Sequence, residues 1–301
     1  MYIAPLSNVI RSLGINHHQY ADDTQLYITV LKDDVLSCVC RLESCINAVH
    51  KWLSQNWLSL NPKKSEAIQF TSGRGQSRVE DIASIAVSGV RIKPSTVVKS
   101  LGVTLDGGLT FDQHIANVCK ASYFHIRALR HVRKSLPDDV AKTVACSIVG
   151  SRIDYCNALL VSMSDSNFAK LQRVQNTLAR VVLGLRKFEH ITPALIELHW
   201  LPVKQRVTFK LATLTMKTVH SGQPTYLRDL VNAYEPVRTL RSSSQHLLCV
   251  GRTRTVTAAR SFRHSSATIW NSLPAEIRDC TAVDNFKRKL KTHLFKLAFA
   301  A

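Results

Sequence analysis

Two adjacent aspartates offer the clearest chemistry in this sequence. Asp22 and Asp23 end the tetrad Tyr20-Ala21-Asp22-Asp23, which lies between two segments of strand-like alternation. Two carboxylates at close range repel each other, which raises a pKa or favours a shared cation. Mg²⁺ prefers such oxygens, and a pair of Mg²⁺ ions can activate a hydroxyl and stabilise a departing pyrophosphate. A polar turn that only closes a hairpin would use the same residues, so the pair alone leaves both interpretations open.

The sequence around the tetrad predicts short strands and one long helix. Alternating apolar residues predict a β-hairpin over 14–31, with the tetrad as its turn. Apolar residues at helical spacing predict a helix over 35–57, with Trp52 and Trp57 in or near the core. A strand is expected over 67–70, and two or three further strands over 82–105, because turn residues interrupt that stretch.

From residue 112 onward the apolar residues recur at helical spacing. Asp112 is expected to cap the first of these helices, and further helices begin near residues 137, 165 and 202. The stretch 235–260 is polar and basic and is expected to be extended. A last amphipathic helix covers 283–299, with four apolar residues predicted to face inward: Phe286, Leu290, Leu294 and Leu297.

The charge is concentrated in the helical part of the chain. The 301 residues include 40 lysines and arginines against 21 acidic residues, a net charge of +19. Residues 1–111 hold 11 basic and 9 acidic residues, whereas residues 112–301 hold 29 and 12. A field of this size attracts polyanions, and phosphate backbones are the usual partner. A solvated basic surface without a ligand, or a membrane surface, would also be compatible with this charge; no stretch is apolar enough to span a bilayer.

The eight cysteines do not suggest a metal site. None of them forms a C-x-x-C pair, and the Cys38-x-Cys40 spacing is a weak metal-binding pattern. Without an export signal at the N-terminus, we expect free thiols buried as small apolar residues. With 45% apolar residues the chain can form an ordinary core, and about two domains are expected from its length.

An ordered series of motifs resembles a known family of polymerases. The tetrad on its hairpin is followed by Leu53-Ser-Gln-Asn-Trp57, by Leu58-Ser-Leu-Asn-Pro-Lys-Lys64-Ser-Glu66, and by Lys99-Ser-Leu-Gly-Val103. The series is similar to that of the reverse transcriptases of non-LTR (LINE-type) retrotransposons, in particular jockey-like elements. Two motifs further along the chain resemble the region after the polymerase domain of these elements: His199-Trp-Leu-Pro202 and Ile269-Trp-Asn-Ser-Leu-Pro274. The resemblance covers essentially the whole chain.

The resemblance implies a role for each matching residue. Asp22 and Asp23 would hold catalytic Mg²⁺, and Tyr20 beside them would contact nucleic acid. Lys64 would lie near the incoming deoxynucleoside triphosphate, where it could neutralise charge or donate a proton, although a plain solvated lysine is an equal alternative. The turn Leu101-Gly102 would be the primer grip, where glycine permits close approach of the backbone. Three cations of the first basic helix would contact the RNA–DNA hybrid of template and primer: Lys120, Arg127 and Arg130.

The same resemblance sets expectations for the architecture. We expect an α+β fold with a partial antiparallel palm sheet and one long helix over 1–108, an all-helical thumb over 109–190, and a helical basic extension over 191–301. Reverse transcriptases use a third carboxylate and fingers that lie upstream of the tetrad, and residues 1–21 contain no acidic residue. The chain is therefore expected to be the C-terminal portion of a longer protein and to be catalytically incomplete by itself.

Other interpretations stay open at the level of the sequence. The basic region could be a non-catalytic module that binds RNA or DNA, or the chain could be a translated remnant of an element without a selected role. The cluster Lys287-Arg288-Lys289 could be a nuclear signal or a set of phosphate contacts, so the sequence does not decide between nucleus and cytoplasm.

Overall fold

The computed structural model describes residues 2–31, 33–71, 82–235 and 246–299. It divides into two compact units. The first comprises residues 1–102 and 106–108, and the second comprises residues 103–105 and 109–301. The division falls within a hairpin, because residues 103–105 contribute apolar side chains to the core of the second unit.

Among the described residues, the first unit contains two α-helices, two complete β-hairpins and the first strand of a third hairpin, whose second strand lies mostly in the second unit. Helices α1 (Leu6–Ser12) and α2 (Val35–Gln55) flank the first hairpin in sequence. Each pair of strands is a separate two-stranded sheet: β1 (Asn16–Tyr20) with β2 (Asp23–Tyr27), β3 (Ile85–Val87) with β4 (Val90–Ile92), and β5 (Val97–Ser100) with β6 (Val103–Asp106). Such small sheets are marginal by themselves and depend on packing against other elements.

The core of the first unit lies between α1, α2 and the start of β1. Leu6 and Ile10 of α1 pack with Ile15, which directly precedes β1, and α2 adds Cys45 and Val49. The predicted helix over 35–57 is confirmed over Val35–Gln55, and its buried residues, Cys38, Cys45 and Val49, are spaced by seven and four positions. Glu43 of α2 also accepts a hydrogen bond from the backbone nitrogen of Ala86 at 2.7 Å, which joins the second hairpin to this helix.

The second unit is helical. Its main helices are α3 (Asp112–Val132), α4 (Asp138–Ala145), α6 (Asp165–Leu183), α8 (Val203–Ser221), α11 (Phe262–Ser272) and α13 (Val283–Phe299). Shorter helices connect them: α5 (Ser151–Asp154), α7 (Ile191–Glu197), α9 (Thr225–Arg228), α10 (Val256–Ala259) and α12 (Ala275–Arg278). A π-helical segment, Cys146–Gly150, runs directly from α4 into α5.

Two apolar clusters hold these helices together. The first is built around α3 and α6, with Ile115, Ile126 and Leu171 fully or almost fully buried. In the second cluster Trp270 of α11 stacks on Phe286 of α13, with ring centroids 5.8 Å apart. The Trp270 Nε1 donates a hydrogen bond to the His246 carbonyl at 2.8 Å, so the indole is buried without leaving its donor unpaired.

A buried amide connects α3 to α6. Asn167 is fully buried, and its Nδ2 donates to the Asp112 carboxylate at 2.7 Å. Its Oδ1 accepts a hydrogen bond from Lys170 Nζ at 2.9 Å. Asp112 was predicted to cap α3. It is instead the first residue of the helix, and Phe111 takes the cap position with φ +62°.

Three further predictions about local structure are wrong. Residues 67–70 form only an isolated bridge from Ile68 to Ser95, not a strand. Trp57 is 95% exposed because α2 ends at Gln55 and Trp57 takes φ +60°, which removes it from the helical face. Leu297 is also exposed, since the last turn of α13 packs through the rings of Phe295 and Phe299 instead.

Two further predictions, that the cysteines are buried free thiols and that the stretch 235–260 is extended, hold only in part. All eight thiols are free, but burial holds for Cys38, Cys45 and Cys280, whereas Cys40, Cys146 and Cys249 are exposed. Burial raises the pKa of the Cys45 thiol above its usual value, which keeps it in the neutral form. Within the stretch 235–260, residues 236–245 lie outside the described part, and residues 256–259 form α10.

A buried histidine should make the stability of the second unit depend on pH. His114 of α3 is 5% exposed, and its Nδ1 accepts a hydrogen bond from the Thr104 backbone nitrogen at 3.3 Å. Burial lowers the pKa of His114 below its ordinary value of 6.5. As pH falls below 6.5, the unfolded chain therefore takes up a proton that the folded chain resists, and stability is lost.

We expect the free energy of unfolding to be little affected by this group at pH 7.5 and to decline as the pH falls through 6.5, by at most about 1.4 kcal/mol per pH unit. Urea titrations between pH 7.5 and 5.5 measure this decline. His114→Gln should flatten it, whatever its effect on stability at pH 7.5. An equal decline in the variant would contradict the assignment.

Candidate functional site

The aspartate pair lies at the tip of the first hairpin. Tyr20 of β1 pairs with Asp23 of β2, so Ala21 and Asp22 form a two-residue turn. Ala21 takes φ +52°, in the left-handed region that two-residue hairpin turns require and that glycine usually occupies. Asp22 and Asp23 are both exposed, and Tyr20 is 68% exposed beside them. The predicted hairpin and its turn are confirmed.

Contacts with the helices fix the inner side of this hairpin. The Ser7 hydroxyl of α1 donates to the Gln19 side chain of β1. The Arg41 guanidinium of α2 donates to the Gly14 carbonyl just before β1, at 3.4 Å. Residues of β1 and β2 alternate between half-buried and exposed, so the hairpin has one side towards the unit and one side towards solvent.

The solvent-facing side of the hairpin carries polar and aromatic groups. His18 of β1 stacks on Tyr27 of β2, with ring centroids 5.4 Å apart. Gln25 lies between Tyr27 and Asp23 on the same side of β2. Its Nε2 donates a hydrogen bond to the Ser100 hydroxyl at the end of β5. Ser100 directly precedes the turn Leu101-Gly102, so the hydrogen bond brings the two predicted motifs together.

The second of these motifs is a tight turn as well. Leu101 and Gly102 take φ values of +45° and +82° between β5 and β6, the pattern of a type I′ turn. Close backbone packing holds the base of this hairpin. Gly107 lies just after β6, and a Cβ atom there would stand 2.9 Å from the Gln69 carbonyl. The Gly107 carbonyl accepts a hydrogen bond from the Thr71 nitrogen at 3.0 Å.

Lys64 lies in a different setting. It ends a single 3₁₀ turn, Pro62–Lys64, that follows α2, and its side chain is exposed. The Asn61 side chain caps this turn by accepting a hydrogen bond from the Lys63 nitrogen at 3.0 Å. Among the residues that the structure describes, no ion pair joins Lys64 to Asp22 or Asp23. A role beside the aspartates therefore stays a prediction.

The donor set at the hairpin tip suits a loosely held Mg²⁺ ion. The side chains of Asp22 and Asp23 enter no ion pair or hydrogen bond within the described ranges, so their oxygens are available. The described residues contain no group of three or more His, Cys, Asp or Glu that could bind a metal. Mg²⁺ commonly binds through one or two carboxylates and keeps several waters or substrate phosphates as further ligands. Two exposed carboxylates fit that mode and do not form an all-protein cage.

The three predicted cations of the basic region lie on α3 of the second unit. Lys120, Arg127 and Arg130 are all exposed, and none of them forms an ion pair with a described residue. Phe124 lies between Lys120 and Arg127 on the same side of the helix and is 62% exposed. Phe124 was not among the predicted site residues, although its spacing from the two cations, four and three residues, was a usable signal in the sequence.

Comparison with known proteins relates part of the chain to a reverse transcriptase. Over 103 residues the chain is 29% identical to the RNA-directed DNA polymerase from mobile element jockey of Drosophila melanogaster. The match covers 34% of this chain and 10% of that protein, so it spans about a tenth of the length of this relative. No family model and no solved structure matches the chain. No helix in the described ranges is long and apolar enough to cross a membrane.

The turn between β5 and β6 gives a direct test of this geometry. Gly102→Ala places a Cβ at φ +82°, which costs about 1 kcal/mol in the left-handed region. We expect faster amide hydrogen exchange across Val97–Asp106, measured by mass spectrometry. Gly251→Ala is the control, because Gly251 has no such φ and open space around its Cβ position. Equal exchange in both variants would show that Gly102 does not hold this turn.

Proposed function

We propose that this chain is a reverse-transcriptase-related segment that binds the template–primer hybrid and contributes two carboxylates for Mg²⁺. The hydrogen bond from Gln25 to Ser100 is the observation that carries the proposal. It holds the aspartate hairpin against the hairpin of Leu101-Gly102, the arrangement that a metal site and a primer grip would require. The partial identity to the jockey polymerase supports the same assignment.

In this proposal the first hairpin is the metal-binding element. Asp22 and Asp23 would hold Mg²⁺, which supplies a Lewis acid that lowers the pKa of a primer hydroxyl and neutralises charge on phosphate. Tyr20 would lie against the primer end, because its exposed ring is paired with Asp23 across the hairpin. The protein's own contribution is to fix the two carboxylates on a turn held from both sides.

The second hairpin and Lys64 would position the other reactants. Leu101-Gly102 presents backbone and a small residue at the turn, which allows the primer strand to approach closely. Lys64 would interact with the triphosphate of an incoming deoxynucleotide through its exposed ammonium group. Both roles come from the resemblance and from the exposure of these residues.

The helical unit would bind the duplex through its phosphates. Lys120, Arg127 and Arg130 are exposed on α3, and residues 112–301 hold 29 basic against 12 acidic residues. Neutralising phosphates releases counterions, which makes the affinity fall steeply with salt. The proposed partners are an RNA template and a DNA primer, with deoxynucleoside triphosphates as substrates of the complete enzyme and no membrane partner.

The proposed activity of the isolated chain is binding rather than nucleotide transfer. The polymerases that the sequence resembles use a third carboxylate beside the aspartate pair. A non-catalytic RNA- or DNA-binding module is the second candidate function, favoured by the unpaired cations of α3. The two candidates differ in one respect, because only the first gives a role to Asp22 and Asp23.

A metal titration separates the two candidates. Mn²⁺, a paramagnetic substitute for Mg²⁺, should bind weakly to the wild-type chain, and Asp22→Asn/Asp23→Asn should weaken binding at least about tenfold because it removes every anionic ligand at the turn. Electron paramagnetic resonance of free Mn²⁺ measures the affinity. Asp33→Asn/Asp34→Asn is the matched control, since it neutralises another adjacent pair in the first unit. Equal affinities in the two variants would favour the non-catalytic module.

A salt titration tests the binding of the hybrid. Fluorescence anisotropy with a blunt RNA–DNA hybrid should show an affinity that falls with salt, and Arg127→Ala/Arg130→Ala should reduce the slope of log K against log salt by about 2, one for each lost phosphate contact. Lys51→Ala/Lys93→Ala removes the same charge from exposed positions of the first unit and should leave the slope unchanged. Salt-independent binding, or none, would contradict the proposal.

A further inference from the structure

One side of α3 combines an exposed aromatic ring with unpaired cations. Lys120, Phe124 and Arg127 follow each other at spacings of four and three residues, so their side chains lie along one line of the helix. The apolar residues on the other side of the helix, such as Ile115 and Ile126, are almost fully buried. Phe124 instead remains 62% exposed, which leaves a phenyl ring between two positive charges in solvent.

The ring of Phe124 forms a wall of a shallow depression on the helix. The depression has a volume of about 330 Å³ and is lined by Asn117, Lys120, Ala121, Phe124 and His125. Its size is at the lower end of the range for small-molecule sites, so it suits one planar ring system rather than a double helix. Ala121 leaves space because it carries only a methyl group. Phe124 and His125 stand edge to face, with centroids 5.3 Å apart and an interplanar angle of 83°.

The charges around the depression favour an anionic strand as its occupant. Asp112 is the only acidic residue of α3, and its carboxylate is already bound by Asn167 at the start of the helix. Lys120 and Arg127 have no acidic partner in the described part of the chain. They are separated by seven residues, about 10 Å along the helix axis, so they can contact phosphates on both sides of one nucleotide. An apolar peptide would leave both charges unused.

We propose that this depression binds an unpaired base of single-stranded RNA. The base stacks on Phe124, while Lys120 and Arg127 contact the phosphates before and after it. Stacking of this kind tolerates any sequence, because every base presents a π-face. The inference rests on the proposed function, which supplies RNA as the template, but it assigns α3 a task beyond contact with a paired duplex. The template strand outside the hybrid is the segment that offers unpaired bases.

The test compares two nucleic-acid probes on the full chain. Fluorescence anisotropy measures the affinity for an unstructured RNA of about 12 nucleotides, a typical site length for single strands, and for a blunt RNA–DNA hybrid of equal length. Phe124→Ala should weaken binding of the single strand by about 5- to 150-fold, the range that loss of one stacked base produces, and should leave the hybrid unaffected. Phe124→Trp should restore affinity, and its added indole should be quenched on binding.

Two further variants make the test specific. Phe188→Ala removes a phenyl ring that is 91% exposed between α6 and α7, with Lys187 beside it, and should bind the single strand like the wild type. Phe124→Leu keeps an apolar side chain but removes the π-face, and should bind like Phe124→Ala. Because position 124 is exposed, the variants should keep the helical circular dichroism of the wild type.

The possible outcomes separate this inference from the proposed function. The inference is overturned if Phe124→Ala or Phe124→Leu binds the single strand as well as the wild type, or if the wild type binds no single strand. If in either case the wild type still binds the hybrid with a steep salt dependence, the proposed function is supported although the inference about Phe124 is not. A third outcome is that Phe124→Ala loses affinity for the single strand while the wild type does not bind the hybrid. This would support the binding of an unpaired base at Phe124 and contradict the proposed binding of the hybrid by α3.

Discussion

Two like charges on adjacent residues of one tight turn are the constraint on which the site depends. The repulsion between Asp22 and Asp23 is tolerable at the surface, where water screens it, and would be costly in the interior. The turn exposes both carboxylates, and no cationic side chain neutralises them in the described ranges. A positive φ at Ala21 and hydrogen bonds to Ser7 and Ser100 keep the turn in place. Fixed, unneutralised carboxylates are suited to an external cation.

The distribution of charge along the chain keeps the two carboxylates available to an external cation. Residues 1–111 are almost neutral, whereas residues 112–301 hold most of the positive charge. Lysines placed among the aspartates would form ion pairs and occupy the oxygens that a metal ion needs. Cations on a separate helical unit can bind phosphates without competing for the carboxylates. The ion pair found among the described residues of the first unit agrees with this separation, since Arg91 pairs with Glu43 and not with the turn.

The local elements could be predicted from the sequence, and their long-range contacts could not. Periodicity predicted the hairpin around Asp22 and the helix that begins near residue 165, observed as α6, because each pattern is contained in one segment. Periodicity failed at Trp57 and Leu297, where a helix end or a change of packing partner overrides the helical phase. The contact of Gln25 with Ser100 joins residues 75 positions apart, so no local pattern could reveal it.

The two sides of α3 separate the residues of the core from those of the proposed binding site. Ile115, Ile126 and Leu129 belong to the core, so truncating any of them would open a cavity and destabilise the unit. Phe124 and Arg127 lie outside that core and can change without such a cost. Phe124 is 62% exposed, on the side of α3 opposite to these buried residues. The position of this ring, between two cations that have no acidic partner in the described part of the chain, is the arrangement that the proposed base site requires.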